Sequence, residues 1–157
     1  MTDLHGHIIW LRFRGQNARH VRKRYILARA CCLVHVAHTD ILRITAALSA
    51  AVPEAETTIA LLDNAILNTL APDVLVIDVD GLATDPLEAL RQLRFVVPEC
   101  AIVVLTNSAK PSFARECHNA GANCLLSKFS SQEQLATGIR FALRSGCFTD
   151  PRFSHTA

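Results

Sequence analysis

The pattern of apolar and polar positions is clearest at Pro72-Asp73-Val74-Leu75-Val76-Ile77-Asp78, where four apolar residues lie between a Pro-Asp turn and a single carboxylate. A run so short and so apolar predicts a strand buried on both faces, as a parallel sheet requires. An ionised group is costly to bury unless something pairs with it, so Asp78 is expected at the carboxyl end of that strand. In open α/β sheets this is the edge at which ligands bind.

Comparable strand signals recur at residues 30–37, 57–62, 101–105 and 124–126, the second of them weaker. Helical spacing separates them. Thr39 is placed to cap a helix carrying Ile41, Leu42, Ile44, Thr45 and Leu48, and Asp63 a short one through Ile66, Leu67 and Leu70. Asp85-Pro86 puts a carboxylate at N-cap and proline at N1, ahead of Leu87, Leu90, Leu93 and Arg94. A helix over 111–120 ends at Gly121, and Ser130 or Ser131 opens a last one through Leu135, Ile139, Ala142 and Leu143, stopped by Gly146. The expectation is α/β, five βα units in succession, (βα)5, with right-handed crossovers and helices on both faces of a doubly wound parallel sheet. Residues 30–147 form that domain, 1–29 a basic extension without clear period, and 148–157 a tail.

Composition narrows the class. Half of the 157 residues are apolar, yet no apolar run reaches the roughly 18 needed for a membrane span, so none is expected. Ile8-Ile9-Trp10-Leu11 is broken at once by Arg12 and Arg14, unlike a secretory signal. Six cysteines without a C-x-x-C pair, mostly inside apolar segments, fit reduced thiols and a cytoplasmic protein. Residues 1–29 hold seven Arg and Lys against Asp3, a net +6, and the remainder is −4. That extension reads either as a solvated leader or as a cationic arm for nucleic acid or an anionic surface; its basic and aromatic residues are not interleaved as base stacking requires, which favours the leader. Cys31 and His35 alternate with Cys32 and His38 across a strand, so no zinc site is expected there, nor at His5 and His7. With no nucleophile–base pair, Gly-rich phosphate loop or dinucleotide fingerprint, no independent enzyme is expected.

Three strands end in a reactive side chain: Asp78, Thr106 and Lys128. As parallel neighbours they would emerge at one edge, a carboxylate nucleophile beside a hydroxyl and an ammonium, which is a sensible arrangement for an aspartyl phosphate. The cation and the hydroxyl would meet the oxygens of a phosphoryl group, which brings about two negative charges.

PDVLVID, DPLEALRQLR, IVVLT and AGANCLLSK, followed by a terminal helix ending in SG, resemble in order the receiver domain of two-component response regulators over roughly residues 30–151. The resemblance implies a flavodoxin-like fold with strand order 2-1-3-4-5. It implies Asp78 as phosphoacceptor, Thr106 and Lys128 as the residues contacting the phosphoryl group, and Mg²⁺ held by Asp78 and a carbonyl at Asp80. The implied partner is a histidine kinase or phosphotransfer protein, and a homodimer is a further expectation. The chain also departs from the family. Ala37 and His38 stand where two metal-binding acids are usual, with Asp40 the nearest acid; Leu125 takes the switch-aromatic position, and Phe129 follows the lysine where proline is common. SGCFTDPRF resembles the segment leaving a LuxR-type receiver, so the tail reads as a truncated linker, with no DNA-reading domain expected in this chain. The resulting expectation is an atypical receiver, at most phosphorylating and dephosphorylating itself at Asp78. The alternative is a phosphorylation-independent protein-binding module on the same fold, and a permanent Asp78–Lys128 bridge would favour it.

Overall fold

The computed structural model describes residues 30–34, 36–60, 62–108 and 110–153. The basic extension, His5, His7 and His35 lie outside the described residues, as do the side chains of Cys31, Cys32 and His38. Strands β1 (Ala30–Val34), β2 (Glu56–Ala60), β3 (Val74–Asp78), β4 (Ala101–Thr106) and β5 (Cys124–Ser127) alternate with helices α1 (His38–Ala51), α2 (Asn64–Leu70), α3 (Pro86–Val96), α4 (Pro111–Asn119) and α5 (Gln132–Ser145). All strand pairings are parallel, in the order β2-β1-β3-β4-β5 with a sixth strand, β6 (Phe148–Thr149), added beyond β5.

The period of two in each strand builds two cores. Leu75, Ile77, Ile102, Val104 and Leu125 pack with Leu67, Leu90, Leu93 and Cys117 of α2, α3 and α4. Val74, Val76, Val103, Leu105 and Leu126 pack on the other face with Ile44 and Leu48 of α1 and Leu135 and Ile139 of α5. Every residue of β3 and β4 is buried, which is why both read as continuous apolar runs.

Caps set the helix starts. Asp63 accepts from Ile66 N, Asp85 from Glu88 N with Pro86 behind it, and Ser131 forms a full capping box with Gln134. For α1 the expected cap at Thr39 is displaced: the helix begins at His38, Ala37 takes the N-cap position, and no side chain caps it. Gly121 follows α4 with φ +114, and an added Cβ there would lie 2.9 Å from Arg94 Cβ. Only glycine meets both demands.

Beyond α5 the chain continues to pack on the sheet. Phe148 and Thr149 pair with Cys124 and Leu125, and a 3-10 turn over Pro151–Phe153 delivers Phe153, 2% exposed, into the core beside Leu125. Asp150 anchors the turn, its carboxylate accepting from Ser130 Oγ at 2.5 Å and from Arg152 N at 2.9 Å. Two residues carry no readable period, so a strand this short was invisible beforehand.

Burial also ranks the thiols. Burial, reinforced by Glu116 and Asp85, pushes Cys117 up to about 12, and burial raises Cys124 as well, with Cys147 and Asp150 adding to it. Cys147 is exposed. Among the four cysteines with described side chains, brief alkylation of the native protein at neutral pH is expected to label Cys147 first, read by peptide mass, with Cys117 and Cys124 reacting only on unfolding.

Candidate functional site

The strand ends converge as expected. Asp78 lies opposite Leu105 and Thr106 opposite Ser127, so β3, β4 and β5 deliver Asp78, Thr106 and Lys128 to the same carboxyl edge. Asp78 is 4% exposed and both its oxygens are engaged: Oδ1 accepts from Asp80 N at 3.0 Å, and Oδ2 lies 2.6 Å from Lys128 Nζ. A carboxylate so buried needs such partners. Burial by itself pulls the Lys128 ammonium down. The hydrogen bond and charge of Asp78, and then those of Asp80, outweigh that effect and hold it above its usual value of 10.5.

The Thr106 hydroxyl is engaged by Asp80 and Ser108. It accepts from Ser108 N at 3.0 Å and donates to Asp80 Oδ1 at 2.5 Å. Asp80 Oδ2 accepts from Asn107 N at 2.7 Å and lies 3.3 Å from Lys128 Nζ. Beyond the backbone carbonyl that the family resemblance implies for it, Asp80 brings its side-chain carboxylate to the site, and the Asn107 amide, which no sequence motif marks, joins it. The available signal was the Asp-Val-Asp spacing at 78–80, two carboxylates at one strand end that must find donors.

The positions usual for metal-binding acids supply none. Ala37 has no donor, and Asp40, in the first turn of α1, is drawn to Arg43 Nη2 at 2.8 Å. Arg43 also donates to the carbonyls of Lys128, at 2.8 Å, and Ser130, tying α1 to the β5–α5 loop. Asp40, Arg43, Asn107, Lys128, Phe129 and Ser130 line an open groove of about 490 Å³ beside the site. Among the described residues no group of three His, Cys, Asp or Glu side chains is placed to hold a metal. Mg²⁺ demands near-octahedral oxygen ligation, and the two carboxylates at hand already share an ammonium. Leu125, at the switch-aromatic position, is fully buried, and Phe129 is 75% exposed.

A parallel sheet in this order with helices on both faces is the fold of response-regulator receiver domains. Two solved structures make the likeness concrete. A LuxR-family two-component response regulator from Aurantimonas sp. SI85-9A1 superposes with TM-score 0.67 at 21% identity, over 82% of this chain and 94% of that one. The isolated REC domain of RcsB from Salmonella enterica serovar Typhimurium, with the phosphomimetic BeF3-, superposes with TM-score 0.66 at 17% identity, over 81% and 96%. In sequence the chain is similar to the transcriptional regulatory protein DesR of Bacillus subtilis, 35% identical over 69 residues, 44% of this chain and 34% of that protein. It is also similar to the DNA-binding transcriptional activator EvgA of Escherichia coli K12, 27% identical over 82 residues, 52% of this chain and 40% of that protein. The matches thus span well under half of these curated relatives. No protein-family model matches the chain. No helix among the described residues is long and apolar enough to cross a membrane.

Proposed function

We propose that this chain is an atypical receiver module of two-component signalling that docks a protein partner in one fixed state, without phosphoryl transfer. The observation that carries this reading is the bridge between Lys128 Nζ and Asp78 Oδ2 at 2.6 Å. An aspartate acts as nucleophile through an oxygen lone pair, and here an ammonium on Oδ2 and a backbone amide on Oδ1 draw electron density from both oxygens and weaken them as nucleophiles. The acid nearest the usual metal-binding positions is engaged elsewhere: Asp40 pairs with Arg43 at 2.8 Å. Phosphoryl transfer depends on cations that neutralise the developing charge. Asp78, Asp80 and Lys128 together carry one net negative charge, so a phosphodonor would approach against repulsion.

The second reading keeps Asp78 as a phosphoacceptor for a histidine kinase or phosphotransfer protein. What favours it is the meeting of Asp78, Thr106 and Lys128 at one edge, together with sequence relatives that are regulators.

One experiment separates the two. The full chain is incubated with acetyl phosphate and Mg²⁺ and its intact mass recorded. The expected result is no gain. A base-labile gain of one phosphoryl group, absent from Asp78→Asn, would overturn the phosphorylation-independent reading and establish the second.

A further inference from the structure

The donors around Asp80 form a pattern of their own. Thr106 Oγ1, Asn107 N–H and Lys128 Nζ come from two different strand ends, and all three point at one carboxylate, at 2.5, 2.7 and 3.3 Å. A hydroxyl, a backbone amide and an ammonium converging from separate elements make an oxyanion cradle, the donor set that binds carboxylate or phosphate oxygens. The hydroxyl is aimed: because Thr106 Oγ1 accepts from Ser108 N, its own proton is directed at Asp80. Asp80 is partly exposed, its side chain 28% accessible, so nothing about its own desolvation requires three donors. The cradle adjoins Asp78 through the shared Lys128, which contacts both carboxylates.

We infer that Asp80 is a built-in occupant of this oxyanion cradle, and that its carboxylate holds the β4–α4 and β5–α5 loops in the arrangement an external phosphate-class anion would otherwise impose. The inference rests on the reading of the site given under Proposed function and explains how one state is held. It assigns regulation to a residue two positions beyond Asp78. A tethered ligand acts at an effective concentration on the order of millimolar or above, so a free anion of ordinary weak affinity cannot displace it. Removing the carboxylate empties the cradle and turns a closed site into a responsive one.

The test uses inorganic phosphate, which carries no activated bond, so its outcome is independent of whether Asp78 can be acylated. Uniformly ¹⁵N-labelled full chain is titrated with phosphate at constant ionic strength, with the amide resonances of Thr106, Asn107 and Ser108 as the readout. Wild type is expected to show no saturable shift. Asp80→Ala is expected to show one centred on Asn107, half-saturated at a phosphate concentration about tenfold or more below the highest at which wild type stays unshifted. Asp80→Asn keeps the shape and an acceptor oxygen, and is expected to fall between. Equal responses in wild type and Asp80→Ala, whether both bind or neither does, would overturn the inference. If Asp80→Ala does not fold, Asp80→Asn decides by the same comparison. A shift in Asp80→Ala that spares Asn107 and spreads over surface lysines would mean nonspecific anion binding and would also overturn it. Phosphorylation of wild type by acetyl phosphate would defeat the functional reading while leaving this result to stand or fall by itself.

Discussion

Replacing Lys128 with methionine is expected to destabilise the protein by about 3 kcal/mol, the lower end of the range for removing one partner of a buried ion pair. The lower end applies because Lys128 keeps 18% of its side chain accessible and Asp80 keeps 28%. The loss arises less from the attraction forgone than from what is left behind: Asp78, with 6% of its side chain accessible, would keep its charge with only the Asp80 amide beside it. Urea melts at neutral pH would measure it. Combining Lys128→Met with Asp78→Asn is expected to recover most of the deficit, because the orphaned charge is then gone. A double variant as unstable as the single one would show that Lys128 supports the fold by packing alone. The pH dependence has a definite sign. The ammonium is held above its usual 10.5 in the folded protein. Its contribution is therefore fully present below the unfolded lysine value of about 10.4 and is lost as pH rises through the higher folded value. The gap between wild type and Lys128→Met should stay level from pH 7 to about pH 10 and narrow above that.

A loss of similar size is expected at Arg94, far from the candidate site. Its guanidinium donates to the carbonyls of Pro98 and Cys100, both at 2.8 Å, to Gly121 O at 2.6 Å and to Asn123 Oδ1 at 2.6 Å. Asn123 in turn accepts from Ile102 N and donates to Gly146 O, so one side chain closes α3, the start of β4, the turn before β5 and the end of α5 into a single network. Arg94→Ala is expected to cost about 3 kcal/mol, since several polar groups lose a charged donor at once. For a chain of this size that is a fall in melting temperature of about 10 °C. Lysine should not rescue it, because an ammonium lacks the planar fork that reaches four acceptors. Calorimetry of Arg94→Ala and Arg94→Lys checks both points. An alanine variant that melts with wild type would show that water replaces the guanidinium at no net cost.

The two losses separate fold from function. Arg94 works at the amino-terminal ends of the strands, where β4 and β5 begin, and Lys128 at the carboxyl edge, where the candidate site lies. Arg94→Ala is therefore expected to lower stability without changing the response of the site to anions.

Much of the architecture could be read from residue order. The β3 and β4 runs are apolar without interruption because both sheet faces are covered, so length and flanking turns identified them. Asp85-Pro86 and Ser131 carry their capping chemistry within four residues, and Gly121 and Gly146 mark helix ends through positive φ. These signals are local. The start of α1 was misplaced because a backbone cap at Ala37 leaves no side-chain signature, and β6 because it is two residues long.

At the candidate site Asp78, Asp80, Thr106 and Lys128 are legible in residue order, but Asn107, Arg43 and the bonds among these groups are not. That Asp78, Thr106 and Lys128 share an edge follows from parallel strand order, which hydropathy pattern and family resemblance together supplied. Which carboxylate takes the Thr106 hydroxyl is another matter. That choice depends on positions to within an ångström of groups 26 residues apart, and no periodicity encodes it. The same holds for the capture of Asp40 by Arg43, which would otherwise count as the nearest acid for a metal. Local pattern thus determined the helices, the strands and the edge on which chemistry would lie. Only the packed structure decided which charges pair there, because pairing is a competition among donors and acceptors brought together from distant parts of the chain.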